Sequence, residues 1–342
     1  MLDIDGSMGE GGGQVLRSSL TLAAITGKTF RMKNIRAGRS KPGLRPQHLR
    51  AVEAAAQICR AGVNGAEIGS GQLIFRPGQV AAGNYHFDIG TAGSSSLVLQ
   101  TILLPLSSAG QKSRVTVTGG THVPWSPCFE YLERHWCVFL DRLGIAAGLT
   151  LVQAGFYPKG GGCVRAEIYP MVGLKPLTLV ERGRLLKIQG FSGSADLPDH
   201  IAERQRRRAL DRLAENHQVS NIEISRMSAF SPGTVLFLLA EFENGQCCFF
   251  GLGERGKPAE QVADEAVDAL EDFLATEAAI DHYLADQLLL PLALAEGTSR
   301  LSTSKITTHL LTNARVIRIF LPVEIKIRGN SGRPGVVEVY RS

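Results

Sequence analysis

The sequence lacks any apolar run of the ~18 residues that a membrane-crossing helix needs, so no spanning segment is expected. Its cysteines are few and not arranged for chemistry. Cys59, Cys128, Cys137, Cys163, Cys247 and Cys248 show no C-x-x-C spacing, and most fall inside apolar patterns. That argues against a disulfide framework or a zinc site and for reduced, buried thiols in a cytoplasmic protein. A strong excess of one charge is also missing. Lys+Arg 37 against Asp+Glu 32 gives +5, too weak to prove nucleic-acid binding, so the placement of the cations matters more than their sum. Met1-Leu2-Asp3-Ile4-Asp5 carries acid and no long apolar segment, which is unlike a signal peptide. What remains is a globular composition. With 342 residues and 44% hydrophobic content, the chain has material for roughly two domains at about 150 residues each.

Alternating period-2 and period-3.6 patterns predict an α/β chain of the α+β type. One order of elements, strand-helix-strand-helix-strand-strand, recurs three times. The first copy takes Leu2–Asp5, a helix over Gln14–Thr26, Thr29–Asn34, a helix over Gln47–Ala61, then strands near Ala66–Ile68 and Leu73–Phe75. The second takes Tyr85–Ile89, a helix over Ser94–Ser108, Ser113–Thr118, a helix over Cys128–Leu143, then Ala147–Val152 and Cys163–Ile168. The third has helices over Tyr283–Ala295 and Thr308–Phe320 around Ser299–Ser302, followed by Val323–Arg328 and Val336–Tyr340. It is split by a stretch with its own pattern. Strands at Leu185–Gln189, Ile222–Arg226, Thr234–Glu243 and Gln246–Gly251 accompany helices over His200–His217 and Ala259–Ala275. The expectation is a large domain of three βαβαββ units, residues 1–184 and 281–342, with a smaller α/β domain inserted at 185–280. The first inserted helix carries Arg204, Arg206, Arg207, Arg208 and Arg212, and the last carries six acids. Two solvated faces explain both, with auxiliary RNA contact by the arginines as the functional alternative.

Four loops and two helix starts hold the candidate chemistry. Gly6-Ser7-Met8-Gly9-Glu10-Gly11-Gly12-Gly13-Gln14-Val15-Leu16-Arg17 joins a strand to a helix, and its glycines let backbone N–H groups approach an anion. It fits neither a Walker A loop nor G-x-G-x-x-G. Glu10 is its only acid and can hold a magnesium ion against phosphate oxygens. A flexible turn is an equally good reading of this loop alone. Arg36, Arg39, Lys41, Arg45 and Arg50 punctuate a Gly/Pro-rich loop that leads into a helix with Gln47 and His48. Arginine forks and helix-start amides suit phosphates better than a merely solvated loop requires. Gly90–Gln100 and Gly119–Pro127 are small-residue loops at the starts of second-copy helices, where His122 and Trp125 fit loop packing equally well. In Asp281–Gln287, Tyr283 can stack on a base, although core packing is its default, and Asp286 lies on the same helix face. Thr307–Phe320 reads as a short helix with a threonine cap, stopped by Pro322. His309 falls in its first turn, where the dipole's positive end favours a neutral, nucleophilic imidazole beside an anion site. On position alone, the plainer reading leads: a partly buried histidine bonded to a backbone carbonyl.

Taken together, Gly9–Gln14 with Arg17, Arg36–Arg39 with Lys41–Leu44, Gln47-His48, Gly155-Phe156-Tyr157-Pro158-Lys159-Gly160-Gly161-Gly162, Tyr283–Gln287 and His309–Asn313 resemble the RNA 3′-terminal phosphate cyclase family. The likeness runs from the first strand to the last helix in family order, with Cys128 as one local departure. The resemblance implies the three-unit fold with a domain inserted in the third unit, and an ATP-dependent conversion of an RNA 3′-phosphate end to a 2′,3′-cyclic phosphate. His309 is implied as the nucleophile that forms a covalent histidine–AMP, and Glu10 and Gln100 as ligands of Mg2+ or Mn2+. Tyr283 and Pro127 are implied to sandwich adenine, with Gln100, Leu284, Ala285, Asp286 and Gln287 in the ATP-binding stretch. Arg17, Arg36, Arg39, Gln47 and His48 are implied near the phosphates. ATP and an RNA with a 3′-phosphate end are the implied partners, with no membrane and no obligate protein partner. The competing reading is a non-catalytic, cyclase-like scaffold of ribosome assembly. Such proteins lack the histidine, so His309 with Glu10 favours the enzyme.

Overall fold

In the computed structural model, which describes residues 1–217 and 219–342, the chain opens with β1 (Leu2–Asp5), α1 (Gly13–Thr26), β2 (Phe30–Lys33), α2 (Pro46–Cys59), β3 (Gly62–Asn64) and β4 (Leu73–Arg76). β1 and β2 are parallel, and the sheet order is β1-β2-β4-β3. Next come β5 (Asn84–Asp88), α3 (Ser95–Ser107), β6 (Ser113–Gly119), a helix in three pieces, β7 (Ala147–Gln153) and β8 (Gly162–Ile168). These strands take the order β5-β6-β8-β7, again with the first pair parallel. The pieces are α4 (Phe129–Tyr131), a π turn over Leu132–Trp136 and α5 (Cys137–Arg142). After β9 (Thr178–Leu179) the chain leaves for β10 (Leu185–Ala195), α6 (Asp199–Ala214), β11 (Val219–Arg226), β12 (Gly233–Phe242), β13 (Gln246–Leu252) and α7 (Ala259–Leu274). It returns with α8 (His282–Leu294), β14 (Gly297–Thr303), α9 (Thr308–Phe320), β15 (Glu324–Arg328) and β16 (Gly335–Arg341), and β9 joins that last sheet beside β14. Among the described residues the molecule is therefore a mixed α/β protein of four four-stranded sheets.

The helices lie where the sheets can bury them. α1 packs against α2, α3 and α9, and α9 against α8. One large apolar core draws on all of these, with the Phe30 and Phe320 rings meeting edge-on at 6.1 Å. Local chemistry sets the helix ends. Ser94, Asp281 and Thr307 accept backbone N–H groups at the starts of α3, α8 and α9, satisfying orphan donors. Gly27 ends α1 in the left-handed region at φ 68° and donates to Ala23. The segment from β10 to α7 has its own apolar core, which includes Ile188, Leu213, Ile222, Leu236 and Phe273. The other face of its sheet (Phe191, Val235, Phe237, Leu239 and Cys248) joins the large core. β12 is thus buried on both faces, which is why it reads as a nearly continuous apolar run.

Several predicted elements move. The third strand falls on Gly62–Asn64 rather than Ala66–Ile68, because Gly65 turns the chain at φ 80° with no room for a Cβ beside the Gln72 carbonyl. β10 extends six residues past Gln189, to Ala195. The helix predicted over Cys128–Leu143 is interrupted by the π turn. The arginines of α6 are not simply solvated. Arg204 pairs with Glu260, Arg208 with Asp264, and Arg212 with Asp264, Asp268 and Glu271, so α6 and α7 are laced along their length. All six cysteines are free. Among the described residues no helix is long and apolar enough to cross a membrane.

Candidate active site

The glycine loop is shaped by what it must touch. Gly9 sits at φ 59°, and a Cβ there would lie 1.9 Å from Oγ1 of Thr312 on α9. A Cβ on Gly13, the first residue of α1, would lie 2.4 Å from Nε2 of His48 and 2.7 Å from Nη1 of Arg17. Missing side chains therefore let the loop close on α9 and let α2 close on α1.

Helix starts then converge. Gln14 of α1 donates through Nε2 to Oδ1 of Asp286 at 2.5 Å, and its Oε1 lies 2.6 Å from Nδ1 of His309. With the amide in this orientation, Nδ1 carries the proton and donates. The other ring nitrogen, Nε2, lies 2.7 Å from Oε2 of Glu10, and Arg39 approaches the same oxygen at 3.6 Å. Asn313 of α9 donates to the Asp286 carbonyl at 3.0 Å and accepts from the Ser18 hydroxyl at 2.7 Å. Gln100 of α3 donates to Gln287 of α8 at 2.9 Å. A cavity of about 100 Å³ lies among Gln14, Arg17, Gln100, Asp286 and Asn313, with Trp136 in its wall. The Trp136 indole N–H is buried and has no hydrogen-bond partner among the described residues.

Burial dominates the electrostatics. It pushes the Asp286 carboxyl up to about 6, against the charge of His309 and the Gln14 bond. It brings the Arg17 guanidinium down to about 10, opposed by Asp286. His48 is buried beside Arg17, Arg36 and Arg45, and burial plus those charges bring it down to about 3. The ring is neutral at ordinary pH, and its Nδ1 accepts the Arg45 N–H at 3.3 Å.

The predicted residues divide into those that meet and those that do not. Glu10, Gln14, Arg39, Asp286 and His309 form one connected cluster, with Arg17 and His48 against the glycine loop. Gln47 reaches the start of α3, where Ser94 N–H donates to its Oε1 at 3.5 Å. Arg36 turns back on its own loop and donates to the carbonyls of Lys41 and Gly43. Tyr283 is 55% exposed, so core packing is not its role. Pro127 is half-buried. Leu284 and Ala285 are buried in the core, where their side chains seat α8 and do not line the cleft. His122 and Trp125, equivalent in the sequence, part ways. His122 is buried between Thr121 Oγ1 at 2.7 Å and Glu130 Oε2 at 2.8 Å, whereas Trp125 is 99% exposed at φ 58°.

Ser18 and the Asp281–His135 pair escape sequence reasoning. Asp281 caps α8 with one oxygen and meets Nε2 of His135 at 2.7 Å with the other. His135 belongs to the π turn, so the break in that helix anchors the segment carrying Tyr283 and Asp286.

A histidine-centred polar cleft, built from the glycine loop and helix starts of a mixed α/β fold, is the form of an enzyme. The family model described as RNA 3′-terminal phosphate cyclase matches residues 8–327. A Pseudomonas fluorescens protein named RNA 3′-terminal phosphate cyclase is 49% identical over 96% of this chain and 94% of its own. Proteins of the same name from Nostoc punctiforme and Methanopyrus kandleri are 45% and 44% identical, over 96% and 99% of this chain and 96% and 98% of theirs. The chain belongs to the RNA 3′-terminal phosphate cyclase family. Among solved structures, the enolpyruvyl transferase NikO from Streptomyces tendae aligns at a TM-score of 0.38 with 10% identity, covering 98% of this chain and 47% of its own.

Proposed function

We propose that the protein converts an RNA 3′-phosphate end to a 2′,3′-cyclic phosphate in an ATP-dependent reaction. The observation that carries the reading is the Asp286–Gln14–His309 chain. It holds the Nδ1 proton of His309 and turns Nε2 toward the glycine loop. Nε2 attacks the α-phosphorus of ATP. An N–P bond forms, the bond from Pα to the bridging oxygen breaks, and pyrophosphate leaves. A 3′-phosphate oxygen of the RNA then attacks the same phosphorus, the N–P bond breaks, and the imidazole lone pair returns. The adjacent 2′-hydroxyl attacks the 3′-phosphorus, gives up its proton and expels AMP. Two displacements by way of a histidine replace one with a poor leaving group. The 2′-hydroxyl makes RNA the substrate.

Arg17, Arg39, Gln47 and His48 bind phosphates in this reading, and Arg36 orders their loop. Tyr283 and Pro127 hold adenine. The donor set suits a hard cation: Glu10 keeps a partly exposed carboxylate, and Gln100 uses its N–H on Gln287, leaving its amide oxygen. Among the described residues no group of three or more His, Cys, Asp or Glu can hold a metal, so phosphate oxygens would complete the shell of Mg2+ or Mn2+. When bound, the ion supplies neutralisation of phosphate charge. Six free cysteines support a cytoplasmic setting. The recurring sheet order supports three βαβαββ units over 1–184 and 281–342, with an inserted domain at 185–280.

The test is incubation with ATP labelled at the α-phosphate and a divalent metal. Wild type acquires acid-labile label and His309→Ala does not. RNA ending in a 3′-phosphate is cyclised, and its 2′-deoxy counterpart is not. Unchanged labelling of His309→Ala removes the nucleophile, and no labelling of either protein favours the scaffold reading.

A further inference from the structure

The loop Gly155–Gly162 contributes no side chain to the histidine cluster, yet its glycines fit three different neighbours. A Cβ on Gly160 would lie 2.8 Å from Cα of Ala92, in the loop before α3. On Gly161 it would lie 2.9 Å from Cβ of Phe230, in the loop between β11 and β12. On Gly155 and Gly162 it would strike the other's backbone. From the far side, Gly233 seats against the Phe156 ring, where its Cβ would lie 2.0 Å from Cγ. The glycine run is thus a clasp that joins the second sheet to the β10–α7 segment.

What the clasp displays is unusual. Tyr157 is 67% exposed and Phe230 is 65% exposed, with Nζ of Lys159 5.7 Å from the Phe230 ring centroid. Lys159 has no acid partner among the described residues. Two exposed aromatic rings, one of them with a cation over it, match what a single strand requires. Bases stack on the rings and a phosphate meets the ammonium. The platform is also continuous with the site. Gly160 touches the Thr91–Ala92 backbone, Gly93 approaches Gln47, and Gln47 precedes His48.

The neighbouring cleft does not compete for phosphate. It is lined by Glu130, Glu133 and Glu223. Of its arginines, Arg134 lies over the Phe191 ring and Arg226 is paired with Asp199.

We propose that Tyr157, Lys159 and Phe230 form a binding subsite for the single-stranded RNA chain upstream of the terminal 3′-phosphate. This rests on the RNA-end reading above, so the primary measurement is direct binding, which needs no turnover. A labelled single-stranded oligoribonucleotide with a 3′-phosphate is titrated by fluorescence anisotropy into wild type, Tyr157→Ala, Phe230→Ala, Phe230→Leu and Lys159→Gln. Loss of a stacked ring raises Kd roughly 5- to 100-fold, and Phe230→Leu, which keeps the apolar seat against Gly161, shares the loss. Lys159→Gln lowers the slope of log affinity against log salt by about 0.7, the share of one phosphate contact on a single strand. Self-labelling by ATP and the KM for a nucleoside 3′-phosphate, too short to reach the platform, stay unchanged. An unaltered Kd and salt slope in all four variants overturns the proposal and leaves the patch to a protein partner. Failure of wild type to label or cyclise counts against the function above and not against this subsite.

Discussion

Nε2 of His309 lies 2.7 Å from Oε2 of Glu10 while Nδ1 lies 2.6 Å from Oε1 of Gln14, so both ring nitrogens are held by residues of the glycine-loop segment. The two contacts do different work. The Gln14 bond fixes the ring's tautomer and orientation, since Gln14 is itself held by Asp286. Gln14→Ala is expected to slow self-labelling on the order of 10²-fold, as for a reacting group that loses its alignment. The half-saturating ATP concentration should change little. A large rise in that concentration with an unchanged maximal rate would place Gln14 in ATP binding instead.

His48 makes stability depend on acid. The folded ring is held near 3 against an ordinary 6.5, through burial first and then Arg17, Arg36 and Arg45. Between those values the unfolded chain carries a proton that the folded chain does not, so stability rises with pH. The contribution is complete above 6.5 and declines as pH falls toward 3, by on the order of 1.4 kcal/mol per pH unit. Urea melts of wild type and His48→Asn across this range should show a flatter dependence in the variant. Parallel curves would mean that another group is responsible.

Gly13 and Gly9 separate crowding from backbone strain. Gly13 starts a helix, so Gly13→Ala meets the side chains of His48 and Arg17 without left-handed backbone strain, and a loss of about 1–3 kcal/mol is expected. Gly9→Ala meets Thr312 and must also hold φ 59°, which costs an L-residue roughly 1–2 kcal/mol more. Adding Thr312→Ala to Gly9→Ala should restore part of the stability, seen as a non-additive pair in thermal melts. Full recovery would show that the backbone carries no strain.

The arginines of α6 serve α7. Arg212→Ala removes contacts to Asp264, Asp268 and Glu271 that remain partly exposed, so a loss of at most about 1 kcal/mol per pair is expected. RNA affinity should be unchanged. A steep fall in RNA affinity with normal melting would return this helix to an RNA-contacting role.

The sequence announced some of this plainly. Thr307 as a cap, Pro322 as a stop and apolar spacing between them located α9 to the residue, because every signal there is local. The first strand of the third sheet was invisible. Thr178–Leu179 is two residues long and exists only through pairing with Arg300 and Leu301. The π turn was hidden for a related reason: its apolar spacing passes for ordinary helix, and His135 is bonded to Asp281, 146 residues away. Likewise the charges on α6 and α7 looked solvated until the fold set the helices side by side. Leu284 and Ala285 lie in a family motif, yet they serve the core.

The Gln14–His309 contact joins positions 295 apart, and that separation governs when the site comes into being. A growing chain carries the glycine loop almost from the start, but it cannot orient the histidine until α9 is made. The β10–α7 segment must be synthesised first, because it lies between β9 and β14, the strand that β9 pairs with. Domains fold largely as they emerge during synthesis. A chain interrupted before α9 could fold much of its first two sheets and still lack the histidine around which the cleft is built.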